Sequence, residues 1–338
     1  MEATDYLAQM PKIELHVHLE STIDGEKLER YAEKQGKALP RHGIDIYNCS
    51  TDDLSNFLAF LDFVCSMTGS LEDLEEIAYD FSMRSRKENI IYAEAILNPT
   101  HWPQFSPEEI IGALTDGFDR GGKDEGCDCR FMLSLSRNQS LEDALELVRI
   151  MKANITYRLV GLSIDGNEAL TGRTGEKFAP AFLEAAQAGF GITVHAGESS
   201  GPEGVSDALD FLHADRLDHG VRASEDSELI ERLIRERTSL NVCLTSNLTL
   251  LYHNPKEHPL RALWDAGVPL TLSRDDPTFL NLTLTEELKR CAAFADFNVS
   301  DILKAQYNAV DAAFCEESDK KQLRAILDAF SEKFHTVI

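Results

Sequence analysis

No stretch of the 338-residue chain approaches the run of about 20 apolar residues that a membrane-spanning helix requires. The amino terminus, Met1-Glu-Ala-Thr-Asp-Tyr, lacks both the basic flank and the apolar core of a secretory signal, so a cytoplasmic protein without a membrane role is expected. Basic residues are scarce. Thirty-three lysines and arginines stand against 58 aspartates and glutamates, and the resulting formal charge of −25 repels phosphate backbones and argues against nucleic acid as a partner. None of the seven cysteines forms a C-x-x-C pair. The nearest two, Cys127 and Cys129, have the spacing of neither a zinc knuckle nor a redox dithiol, so reduced and mostly buried thiols are expected. No repeat, low-complexity tract or Pro/Gly-rich linker divides the chain, which reads as one domain over residues 1–338.

What is present is alternation. Short β-branched or apolar runs recur between longer segments of helical period, the pattern of a parallel-sheet α/β protein. Eight runs predict strands at Lys12–Leu19, Ile90–Asn98, Cys129–Ser136, Leu159–Asp165, Gly191–Glu198, Asp215–His219, Ser239–Thr245 and Pro269–Asp275. Eight strands suit a closed (β/α)8 TIM barrel. Helices are expected at Leu141–Ala153, Asp226–Arg237, Glu286–Asp296 and Asp301–Phe314, the first opening on Ser140 with Glu142 and Asp143 in its first turn. The long interval from Thr22 to Asn89 holds Leu54, Phe57, Leu58, Phe60, Leu61, Phe63 and Val64 at helical spacing behind a Thr51-Asp-Asp cap. This face fits core packing, or an inserted helical lid after strand 1 that covers the mouth of the barrel.

The polar residues that carry chemistry fall where these strands end. His16 and His18 lie two apart in Ile13-Glu-Leu-His-Val-His-Leu, and a strand of period two points both rings to one side. Alone, that pair fits two core histidines as well as a metal site. Thr193-Val-His-Ala-Gly-Glu-Ser places His195 and Glu198 at the end of the fifth strand, Leu217-Asp-His-Gly places His219 at the end of the sixth, and Arg274-Asp-Asp-Pro ends the eighth with Asp275 and Asp276. The opposite strand ends read as bland. Unpaired ionisable groups cost several kcal/mol each to bury, so their joint appearance at one end of a barrel points to a site.

Taken in order, H-x-H, V-H-A-G-E, H-G, T-S-N and D-D-P resemble the adenosine deaminase family over nearly the whole chain. The resemblance implies that His16, His18, His195 and Asp275 hold one Zn2+, a nitrogen and oxygen donor set that suits that metal. It further implies that Glu198 protonates purine N1, that His219 holds and helps to deprotonate the attacking water, and that Asp276 binds the N7 edge. Gly166, in Ser163-Ile-Asp-Gly-Asn-Glu, matches the glycine whose backbone N–H faces N3. The reaction implied is hydrolytic loss of ammonia from a small 6-aminopurine. Adenosine or deoxyadenosine is the first expectation, and adenine or a modified nucleoside such as aminodeoxyfutalosine is the alternative. Two other classes are disfavoured. The zinc deaminases that flip nucleobases need a P-C-x-x-C that is missing here, and the two-metal hydrolases bridged by a lysine would need one in Leu159–Gly166, which has none. A non-catalytic barrel of the same fold would have lost a ligand or the acid, and His16, His18, His195, Glu198, His219 and Asp275 are all in place.

The chain departs from the family pattern at four points. Ser21 stands in place of a glycine after Glu20, whose family counterpart reaches the ribose. Ile96 stands where arginine is usual, Asp218 where glycine is usual, and Arg274 where a small hydroxyl residue is usual. Arg274 fits an ion pair with nearby acids. Alternatively, Arg274 or Arg137 meets an anionic substituent of the substrate while Trp102 offers a stacking face.

Overall fold

The computed structural model describes residues 3–47, 54–252 and 254–335. Eight parallel strands follow one another in chain order, β1 (Lys12–His18), β2 (Ile90–Leu97), β3 (Asp128–Ser136), β4 (Leu159–Asp165), β5 (Gly191–Ala196), β6 (Arg216–His219), β7 (Ser239–Val242) and β8 (Leu270–Leu272). The circle is completed where Val17 bridges Asp275, with the His18 N–H donating to the Asp275 carbonyl at 2.9 Å. Helices cover the outside, giving a (β/α)8 barrel.

The strands stop earlier than expected at the seventh and eighth positions. The run Ser239–Thr245 is extended only to Val242, because Leu244–Leu250 turns into a short helix that carries Thr245, Ser246 and Asn247 inward, all three buried. After Leu272 the chain leaves the sheet so that Asp275 adopts a left-handed backbone, φ +67°. The expected helices are present with small shifts explained by their caps. Thr283 accepts from the Glu286 N–H and starts one helix at Leu284, and Asn298 and Asp301 form a capping box that starts the next at Val299. Leu141–Ala153 begins on the Ser140/Asp143 box.

The insertion after β1 contains the helix Leu54–Cys65, whose proposed Thr51-Asp-Asp cap lies outside the described residues. Its apolar stripe is split between two tasks. Val64 and Cys65 are buried in the core, whereas Leu54, Phe57, Leu58 and Leu61 line a cavity at the carboxyl end of the barrel. Among the described residues no helix is long and apolar enough to cross a membrane.

The amino end of the barrel is not bland. Arg216 at the start of β6 is fully buried, pairs with Glu94 of β2 at 2.6 Å and lies over the Phe314 ring at 4.0 Å. The Tyr92 hydroxyl donates to Glu94 Oε1 at 2.7 Å. Lys12 is buried as well, donating to the carbonyls of Met10 and Glu88 at 3.0 and 2.9 Å. Arg216 and Glu94 thus pair with one another, and Lys12 is held by backbone carbonyls.

Candidate active site

The alternation of β1 sends His16 and His18 to the same side, as the spacing predicts. His195 enters from β5, His219 from the end of β6, and Asp275 and Asp276 from the turn after β8. His219 and Asp275 both hold left-handed backbones, φ +62° and +67°, which cost non-glycine residues about 1–3 kcal/mol each. Flanking hydrogen bonds hold these turns in place. The Asp275 N–H donates to the His16 carbonyl at 3.3 Å, and Gly220 after His219 donates to Ala196 at 2.9 Å. Gly197, just before Glu198, also has a positive φ, and a Cβ there would lie 2.6 Å from Val205, so only glycine fits the turn that delivers the acid.

The four groups expected as metal ligands converge. His16 Nε2 lies 2.9 Å from Asp275 Oδ1, His18 Nε2 3.4 Å from the same oxygen, and His18 Nε2 3.1 Å from His195 Nε2. Four ligands bound to tetrahedral zinc at about 2.0–2.1 Å stand about 3.3 Å from one another, and these separations cluster around that value. His219 stands beside them, its donor atom within 4.8 Å of those of His16, His195 and Asp275. The donor set and its spacing fit a zinc ion.

Electrostatics divides the carboxyl groups by protonation. Burial pushes Glu198 up to about 8, and the charge of Asp275 adds to the rise. Burial also lifts Asp276 well above the usual carboxylate range, again with Asp275 beside it. Asp275 goes the other way. Burial alone would raise it, but the hydrogen bond and charge of His16 outweigh burial and hold it well below the usual range. Asp275 is thus drawn toward its ionised form, while Glu198 and Asp276 beside it are drawn toward the protonated one. Burial, reinforced by the positive charge of His16, lowers His195 well below an ordinary histidine, so the ring is neutral and available as a ligand.

Supporting residues fix these groups. Both oxygens of the Glu168 carboxylate accept backbone N–H groups of the loop that bears the acid, from Gly197 at 3.3 Å and from Glu198 and Ser200 at 3.0 and 3.4 Å. Asp218, fully buried, sits 2.8 Å from His16 Nδ1 and accepts from Thr193 and Asn241 at 2.8 and 2.7 Å. Where the sequence resemblance led to the expectation of glycine, this chain thus has a fixed carboxylate behind His16. Ser21 donates its hydroxyl to the His18 carbonyl at 2.8 Å, a local bond that accounts for serine in that turn. Ile96 is a buried core residue of β2.

A cavity opens over these groups. It is lined by His18, His195, Glu198, His219, Asp275 and Asp276, by Asp165 and Gly166 after β4, and by Leu54, Phe57, Leu58 and Leu61 of the Leu54–Cys65 helix. Gly166 has φ +102°, a conformation that side chains rarely adopt. The ion pair expected of Arg274 is present, and the alternative substrate contacts of Arg274, Arg137 and Trp102 are not on the cavity lining. The Arg274 guanidinium is not on the cavity surface, because Glu14 and Glu88 take it up at 2.6 and 2.7 Å. Arg137 turns to the His195 carbonyl and to Thr174 Oγ1, the latter at 2.7 Å. Trp102 is fully buried and offers no stacking face. Glu20 likewise lies off the lining, buried, with Oε1 accepting the Asn98 N–H. Asp165, His101 and Leu250 line the cavity without having been singled out for it by the sequence reading. Asp165 is adjacent to Gly166 and His101 follows β2, so position relative to the strand ends was the available signal.

Residues 11–330 match the adenosine deaminase family. The adenine deaminase of Cupriavidus metallidurans is 33% identical over 333 residues, which is 96% of this chain and 93% of that one. An amidohydrolase from Burkholderia ambifaria with bound zinc superimposes with a TM-score of 0.90 at 26% identity, covering 99% of this chain and 96% of the other. The N6-methyl-AMP deaminase of Arabidopsis thaliana shares the fold, with a TM-score of 0.84 at 24% identity over 98% of this chain and 99% of its own. Barrel, strand-end constellation and full-length kinship agree on a hydrolase of carbon–nitrogen bonds, and the chain belongs to the adenosine deaminase family.

Proposed function

We propose that the protein deaminates adenine, converting the free base and water to hypoxanthine and ammonia, with one zinc ion held by His16, His18, His195 and Asp275. The free base replaces the adenosine or deoxyadenosine of the sequence reading. The observation that carries this choice is the state of Glu20. The acidic side chain whose family counterpart reaches the ribose is buried off the cavity lining, with Oε1 accepting the Asn98 N–H and Oε2 without a hydrogen-bond partner. The adenine deaminases among the relatives, about one-third identical along the chain, support the same substrate.

Zinc bound by these donors would bring the pKa of a water from about 15.7 to about 7, which supplies the nucleophile at neutral pH. The residues do the rest. Glu198, protonated through its burial, holds a proton for ring N1 and so makes C6 electrophilic. His219, with Nε2 3.5 Å from Glu198 Oε1, holds the attacking water against C6. Asp276, also protonated, donates its O–H to N7, and the Gly166 N–H faces N3. The apolar side chains of Leu54, Phe57, Leu58 and Leu61 cover the purine face and keep bulk water from the site.

A nucleotide substrate such as N6-methyl-AMP is the second reading, raised by the fold shared with its deaminase. Against it, the described lining has no lysine or arginine to receive a phosphate, and it presents four carboxyl groups. The test is kcat/KM for adenine, adenosine and AMP measured in parallel on the zinc-loaded enzyme. Adenine is expected to exceed adenosine by about 100-fold or more, with AMP inert. Equal or better turnover of either larger substrate would contradict the proposal.

A further inference from the structure

A hydrogen-bonded chain runs from a backbone N–H to the imidazole that faces the water. It begins at Leu260, the first residue of the helix Leu260–Ala266, whose N–H donates to His258 Nδ1 at 3.2 Å. A backbone N–H acts only as a donor, so His258 Nδ1 is an acceptor and carries no hydrogen. Burial lowers His258 to about 4, which leaves the ring neutral with its hydrogen on Nε2. That nitrogen lies 3.1 Å from Asn247 Oδ1. Turned about, the amide would set N–H against N–H, so its orientation is fixed by the ring. Asn247 Nδ2 is thereby left to donate to His219 Nδ1, 3.0 Å away. All three side chains are buried, so no water competes for these roles.

We propose that His258 and Asn247 are positioning residues that lock His219 as the tautomer with its hydrogen on Nε2, which makes His219 a hydrogen-bond donor to the attacking oxygen and not its base. The inference deepens the deaminase reading above and rests on it for the identity of that oxygen. It also revises the role implied by the family resemblance, in which this histidine helps to deprotonate the water. The lone pair of the neutral ring is on Nδ1 and is engaged by Asn247, so Nε2 has nothing with which to take a proton. Protonating Nδ1 would turn the Asn247 contact into donor against donor.

Proton traffic then closes on one carboxyl group. Glu198 gives its proton to N1 and takes one from the water as the C6–O bond forms. It passes that proton to the amino group as the C6–N bond breaks, and it recovers the hydroxyl proton as the carbonyl forms. Adenine and water become hypoxanthine and ammonia, and Glu198 ends protonated, as it began. His219 takes part by directing Nε2–H at the oxygen throughout.

The direct test is long-range 1H–15N correlation NMR on zinc-loaded protein labelled with 15N-histidine, without substrate, the His219 signals being assigned by their loss in His219→Gln. The expected spectrum shows Nδ1 bare and Nε2 carrying hydrogen. A hydrogen on Nδ1, or an Nε2 without one, would overturn the proposal. Two variants add a kinetic readout. His258→Gln places an amide N–H where the ring Nε2–H stood and should stay within about threefold of wild-type kcat. His258→Phe frees the Asn247 amide to rotate and should lower kcat by about 10- to 100-fold at unchanged KM and zinc content, with both His219 tautomers visible. Wild-type kcat and a single tautomer in His258→Phe would count against the lock. Because the spectrum contains no purine, an Nε2–H signal without adenine turnover contradicts only the substrate assignment. An Nδ1–H signal with rapid adenine turnover contradicts only this inference.

Discussion

Both ends of the barrel bury ionisable side chains, and they do so on opposite terms. At the amino end, Arg216 meets Glu94, Glu94 also receives the Tyr92 hydroxyl, and Lys12 is ringed by carbonyls. At the carboxyl end, Glu198, Asp275 and Asp276 crowd together with His16, His18, His195 and His219, of which burial lowers His195 and His219, while Asp276 Oδ1 and His195 Nδ1 have no hydrogen-bond partner. Buried charge with its counter-charge holds strands together. Buried acids pressed against one another, with donor atoms spaced for a cation, form a site that a metal ion and a substrate would complete.

Mutations should separate the two ends, beginning with the acid. Glu198→Gln is expected to lower kcat by about 10²- to 10⁴-fold while zinc content and thermal stability are kept, as read by steady-state kinetics, elemental analysis and calorimetry. A variant that melts early would mean that this carboxyl is structural after all. The inverse result is expected at the other end. Arg216→Met leaves Glu94 buried without its cation and should destabilise the fold by about 3–5 kcal/mol in denaturant titrations, with kcat unchanged below the melting range. The double variant Arg216→Met/Glu94→Leu removes both charges and should recover most of that loss, since replacing a whole buried pair with apolar residues is close to neutral.

A smaller effect is the pH profile. In the proposed mechanism Glu198 acts in its protonated form, and burial raises it from the usual 4.5 to about 8, so the acid is lost as pH rises through that value. A neighbouring cation favours the ionised form and lowers the midpoint. The descending limb of kcat/KM for the zinc-loaded enzyme is therefore expected at or below about pH 8, and Glu198→Gln should lack it. A limb that persists in the variant belongs to another group.

The sequence made the carboxyl end legible because its signals are local. Two histidines at period two, a glycine before an acid, and an Asp-Asp-Pro stop each state their geometry within a few residues, and the structure brings His16, His18, His195, Glu198, His219, Asp275 and Asp276 around one cavity. The amino end was misread as bland because Lys12, Glu94 and Arg216 are scattered singly, and only the closed barrel pairs them. Arg274 was ambiguous for the same reason. Its partners Glu14 and Glu88 are 260 and 186 residues away in sequence, so an ion pair and a substrate contact could not be told apart. Asn247 belonged to a recognised motif, but its direction was set by His258, which nothing in the local pattern marked.

The central claim is that the unsatisfied groups at the carboxyl end are completed by a metal that the reaction requires. It is tested most directly by measuring zinc per chain and adenine turnover together, in wild type, in chelator-stripped protein and in His16→Ala. One zinc per chain in wild type is predicted, with ammonia release lost on stripping, restored by zinc, and absent together with the metal in His16→Ala. Full ammonia release from metal-free protein would contradict the account.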